Sequence, residues 1–154
     1  QLEIQKRYHQ MGFKLLNNAA VSISKGSDSI ALVGVENWGS GRFPKYGDYN
    51  KAVSGIDSEA FTIVMSHDPD HWEHKILKHK KRAHLTLSGH THGSQMGVEI
   101  PGWIKWSPVQ YRYKRWAGIY EEYGQILHVN RGFGFIGYPG RIGIWPEITI
   151  LDLI

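Results

Sequence analysis

Apolar residues at Leu2, Ile4, Tyr8, Met11 and Leu15 recur at loosely helical spacing with basic residues between them, and Gly12 predicts an end near Met11. The period then shortens. Residues 20–24 and 29–35 read as strands flanking Lys25-Gly26-Ser27-Asp28, a hairpin signal. Across 36–48, glycines and Pro44 break any periodicity while Trp38, Phe43 and Tyr46 favour burial, so an ordered loop is expected. A short helix over 49–55 follows. Residues 61–66 form an apolar run short enough for a strand buried on both faces. Asp70 is placed to cap a helix over 71–77. Leu85 and Leu87 alternate with Thr86 and Ser88, as in a half-buried strand, and Gly89, Gly93 and Gly97 then keep the chain in a tight loop. Residues 101–116 read as an irregular aromatic segment, 119–129 as a hairpin turning near Gly124, and 148–153 as a terminal strand.

Composition narrows the class. With 154 residues and 41% apolar content, the chain is one domain's worth, and no apolar run approaches the ~18 residues of a membrane span. There is no cysteine, so any metal must be held by nitrogen and oxygen ligands. A net charge of +4 suits anionic substrates but is too mild to argue for nucleic acid.

Two imidazoles, His90 and His92, lie just past the 85–88 strand, and His67 holds the same place after the 61–66 strand. Open α/β sheets bind ligands at the carboxyl ends of their strands, so the three histidines are expected to share one site. His71 and His74 are helical neighbours that could chelate, yet no carboxylate falls on the same face. Lys78, Lys80, Lys81 and Arg82 crowd the end of that helix; they suit its dipole, or form a phosphate or membrane-surface patch.

Gly89-His90-Thr91-His92-Gly93 with Gln95 resembles the last metal-binding motif of the calcineurin-like metallophosphoesterases, and Val64-Met65-Ser66-His67-Asp68-Pro69 resembles the motif before it. Asn130-Arg131-Gly132-Phe133-Gly134, Arg141 and Pro146-Glu147-Ile148 resemble the family's closing segment. One departure is visible: Ser94 stands where the family usually has a second glycine, a strained choice if that position needs positive φ. The resemblance implies an α/β fold, the C-terminal half of a four-layer α-β-β-α sandwich, in a phosphoric-ester hydrolase with two divalent ions (Mn, Fe, Zn or Ni). It implies His67 and His90 on one ion and His92 on the other, Asp68 and Ser66 orienting rings, and Gln95 and Arg141 facing the phosphate. The family's upstream Asp-x-His, Gly-Asp and Gly-Asn-His motifs find no counterpart here, and the first methionine is Met11. The expectation is therefore a single partial domain over 1–154 with an incomplete metal site, inactive alone, whose amino-terminal half and any membrane segment lie outside it. The substrate would be a phosphorylated small molecule or lipid. An inner sheet face of Ile63, Met65, Leu85 and Leu87, short of cover, predicts a homodimer or a sticky monomer.

Two other readings compete. In a non-catalytic binding module, the basic aromatic stretch 103–116 would grip an anionic partner by stacking and cation–π contact. In a mononuclear hydrolase, the three histidines would act alone, with Asp68 as base.

Overall fold

The structure, a computed structural model, describes residues 2–39 and 43–153. Helix α1 spans Leu2–Gln10, with Gly12 in the left-handed conformation just beyond it. Strands β1 (Ala19–Lys25) and β2 (Asp28–Gly34) form the expected antiparallel hairpin across Gly26 and Ser27. After the loop, α2 is a single turn over Tyr49–Ala52, capped by the Asp48 carboxylate, which accepts from the Lys51 amide at 3.0 Å. Strand β3 is Phe61–Met65, β4 Leu85–Ser88, β5 Val98–Ile100, β6 Ile104–Trp106, β7 Gly118–Glu122 and β8 Gln125–Val129.

Six strands make one sheet in the order β1-β2-β3-β4-β8-β7. The four inner strands run parallel, and β1 and β7 pair antiparallel at the two edges. This mixed α/β arrangement is consistent with the α/β fold that the resemblance implies. Because β4 is central, Leu85, Thr86 and Ser88 are all buried and Leu87 is half-buried. The alternation that suggested a half-buried strand is thus overridden by its position in a parallel sheet.

The two faces of the sheet differ. Val33, Val64, Leu127 and Val129 point to one side, where α2 and the segment 72–77 cover them through Tyr49, Ala52, Trp72, Ile76 and Leu77. The register puts Leu32, Ile63, Leu85 and Ile126 in one row on the other side, with Met65, Leu87 and Ile119 in the next. There the centre is protected, Ile63 being 6% and Leu85 9% exposed, whereas Met65 is 38% and Ile119 71% exposed. The shortage of cover expected for all four residues is therefore confined to the periphery of that face.

Three elements depart from the sequence pattern. The helix over 71–77 is one wide turn, Trp72–Ile76, and Asp70 does not cap it; the Asp68 carboxylate instead accepts from the Asp70 amide at 2.9 Å, and Asp70 pairs with Arg112 at 3.1 Å. A two-residue shift of the turn-forming aspartate accounts for the change. The segment from Pro101, expected to be irregular, instead turns at Gly102 with φ +75° and supplies β6, which pairs back onto β5. The terminal strand over 148–153 has no ladder. A strand needs a neighbour's backbone, and this segment is tied through side chains instead, Asn130 donating to Thr149 Oγ1 at 2.8 Å. Among the described residues no helix is long and apolar enough to cross a membrane.

Candidate metal centre

Parallel pairing of β3 and β4 brings the loops after them together. Ser66 donates its amide to the Leu87 carbonyl, and Gly89 donates to the His67 carbonyl at 3.1 Å. The two strands are thus zipped past their last ladder residues, to the level of the histidines. His67 Nε2 and His90 Nδ1 end 3.2 Å apart, with the rings edge to face at 4.9 Å. The other nitrogen of His90 stands 2.7 Å from the Tyr113 hydroxyl, which fixes the ring. Both residues keep exposed surface, although neighbouring protein partly surrounds the His67 ring.

His92 goes elsewhere. Its Nδ1 is buried without a hydrogen-bond partner, and its carbonyl accepts from Arg141 Nη1 at 3.2 Å. Among the described residues no three His, Cys, Asp or Glu side chains are grouped to hold one ion. His67 and His90 form a pair within hydrogen-bond distance, and His92 stays near enough to act on them electrostatically without joining a three-residue group.

Burial lowers the pKa of His67, His90 nearby lowers it further, and Asp68 acts in the opposite direction. Burial also lowers that of His92, helped by the Arg141 and His90 charges. Both rings are therefore biased toward the neutral form that a metal requires. The spacing fits as well. Two nitrogens on one first-row ion, each at about 2.0–2.1 Å, stand roughly 3 Å apart.

The remaining named residues frame the loop. Asp68 is buried and turns its carboxylate to the Asp70 amide. Ser66 does not orient His67; its hydroxyl lies 2.9 Å from His71 Nδ1 on the helix-covered side. Gln95 is buried, its amide donating to the Tyr138 and Gly140 carbonyls at 2.6 Å and its oxygen accepting from the Ile136 amide at 2.5 Å. Arg141 Nη2 donates to the Arg131, Gly132 and Gly134 carbonyls at 2.9 Å each. Ser94 occupies the strained conformation its place in the motif suggested, with φ +53°. His71 is wholly buried against Trp38, and so does not lie on an exposed helix face with His74. Tyr113 carries no sequence signal for this site beyond its place in the aromatic stretch.

The chain is similar to several named proteins. The chain is 35% identical over 107 residues to an uncharacterized metallophosphoesterase, YkuE, of Bacillus subtilis, covering 69% of this chain and 35% of that one. It is 29% identical over 153 residues to a transmembrane protein with metallophosphoesterase domain from Danio rerio, covering 94% and 33%. It is also 29% identical over 151 residues to the UDP-2,3-diacylglucosamine pyrophosphatase LpxG of Chlamydia muridarum, covering 93% and 42%. No family model matches the chain. No solved structure matches it either. The chain belongs to the calcineurin-like metallophosphoesterases. It spans between about a third and a half of the length of the curated relatives it matches.

Proposed function

We propose that this chain is the C-terminal part of a metallophosphoesterase domain and contributes one part of a dinuclear site that hydrolyses phosphoric esters. The observation that carries the reading is the His67–His90 pair, held 3.2 Å apart at the ends of adjacent parallel strands. On this reading His67 Nε2 and His90 Nδ1 hold one divalent ion, and His92 turns its ring to the second. Such ions stabilise charge on phosphoryl oxygens and acidify water at neutral pH. Carboxylates are needed to balance two dications; among the described residues no three ligand side chains are grouped, and Asp68, next to His67, is engaged with its own turn. The balancing groups are assigned to the other part of the domain.

Tyr113 positions His90 so that Nδ1 faces the metal, while Gln95 and Arg141 shape the loops around it. The exposed apolar rim about Met65, Ile119 and Ile126 is where the second sheet of the sandwich would pack. A relative named for a UDP-diacylglucosamine substrate makes a lipid-linked pyrophosphate one candidate class, beside phosphomonoesters and phosphodiesters. A separate binding module built on 103–116 is disfavoured by the same contacts. Tyr113 and Trp116 are buried and Tyr113 serves His90, so this part of the stretch is committed to the histidine loop, while Trp103, Trp106 and Tyr111 stay exposed.

The test is calorimetric titration of the chain with Zn or Mn. Binding should be seen in the wild type, be lost in His90→Ala and survive in Tyr113→Phe with reduced affinity. Nitrophenyl phosphate should not be turned over by the chain alone. Turnover abolished in His90→Ala would overturn the partial-site reading while leaving the hydrolase reading intact. Absence of metal binding would remove both.

A further inference from the structure

A second concave site lies on the helix-covered side, and it shares no residue with the histidine pair. The loop after β2 and the one-turn helix at 72–76 border a cleft of about 490 Å³ whose walls include Trp38, Lys45, Asp48, His74, Lys75 and Lys78. Trp38 is its fixed point. His71 stacks on the indole at 4.9 Å and 15°, and the ring is only 9% exposed.

Two ammonium groups converge on that indole. Lys45 Nζ lies 4.6 Å and Lys75 Nζ 5.5 Å from the ring centroid, so the two charges stand no more than about 10 Å apart. Lys78 adds a third cation to the wall. Among the described residues Asp48 is the only carboxylate lining the cleft, and one of its oxygens already caps α2. Among the described residues none of these three lysines forms an ion pair. The site gathers positive charge at a rigid aromatic anchor without neutralising it.

We propose that this cleft binds a phosphate-bearing anion. Lysine ammoniums bind phosphate as point charges, and holding them over one ring reduces the flexibility they must give up on binding. With His71 stacked on Trp38, no free indole face is offered there to a base or sugar, so recognition falls on the charged group. Part of the basic run after the helix thereby finds a role as a phosphate site. Two sources share this chemistry: a soluble phosphorylated ligand and the headgroup of an anionic lipid.

The experiment uses the full chain without added divalent ions. Inorganic pyrophosphate is titrated calorimetrically, and flotation is compared between phosphatidylcholine vesicles with and without phosphatidylglycerol. Four proteins are compared: wild type, Lys45→Gln/Lys75→Gln, Lys45→Arg/Lys75→Arg and His67→Ala/His90→Ala. The Gln pair should lose roughly tenfold or more in affinity, while the Arg pair and the His pair stay near wild type. Such a loss for pyrophosphate identifies a soluble ligand class, and a loss confined to anionic vesicles identifies a headgroup. Binding unaffected in the Gln pair, binding abolished in the His pair, or no binding of either probe would each overturn the proposal.

Discussion

Acid should destabilise this fold through His71 in particular. The ring has no exposed surface, stacks on Trp38, has Nδ1 2.9 Å from the Ser66 hydroxyl and leaves Nε2 buried without a partner. Burial pushes its pKa down from 6.5 to about 4, with the Lys75 and His74 charges acting in the same direction. Above pH 6.5 the ring is neutral in both folded and unfolded chains and contributes no pH dependence. Below it the unfolded chain takes up a proton that the folded one refuses, so stability falls as pH drops toward 4. At 1.36 kcal/mol per unit, the shift is equivalent to about 3 kcal/mol, a substantial part of the ~5–15 kcal/mol of a typical domain.

Urea unfolding followed by tryptophan fluorescence, repeated between about pH 7 and pH 4.5, reads this directly. His71→Phe keeps an aromatic ring against Trp38 and removes the titration. Carboxylates also protonate in this range, among them Glu73, whose pKa is lowered by its bond to Arg115. They are common to both proteins and cancel in the difference. The gap between wild type and variant should shift by about 2–3 kcal/mol in favour of the variant over that range. Parallel curves would refute the reasoning, because the buried ring would then be accepting its proton in place.

Two further outcomes are expected. Gly143→Ala places a Cβ at φ +67° against the Gly97 carbonyl, and thermal melting should show a loss of more than about 2 kcal/mol; an unchanged melt would mean that the 97–98 backbone yields freely. Light scattering after gel filtration should show self-association at micromolar concentration, with dye binding at the rim of Ile23, Phe61, Met65, Ile119 and Ile126; a clean monomer that binds no dye would show that the chain needs no second sheet.

Local patterns carried the hairpins well. Gly26 and Gly124 supply the positive φ that the two turns need, and both pairs of strands form where expected. Features set by distant neighbours were not legible. Thr86 and Ser88 are polar, yet β4 is buried because β3 and β8 lie on either side of it. Ile148 and Ile150 alternate like a strand, but alternation cannot supply a partner. At the site, His67 and His90 could be placed together from their positions after two strands. Tyr113 could not, since a separation of 23 residues from His90 follows no period.

The loop that carries His90 and His92 also shows why Gln95 and Arg141 matter, even with their polar atoms spent on backbone. His90, His92, Ser94 and Gln95 all have φ between +50° and +68°, conformations costing of order 1 kcal/mol or more each for residues with a Cβ. Such a run persists only if the surroundings over-determine it. They do so here: Thr91 donates to the Trp116 carbonyl at 2.7 Å, Ser107 donates to the Gly93 carbonyl at 2.7 Å, and Arg141 donates to the His92 carbonyl. Gln95 binds the 136–140 segment from the other side. At about 1 kcal/mol net for each buried hydrogen bond, the set is of the size needed to offset the strain. Arg141→Met removes one such tie from His92 and three from the 131–134 carbonyls, so it should disturb the His92 ring before it affects the sheet. Histidine ring NMR signals that stay in place while the chain melts earlier would show instead that the arginine supports the fold and not the site.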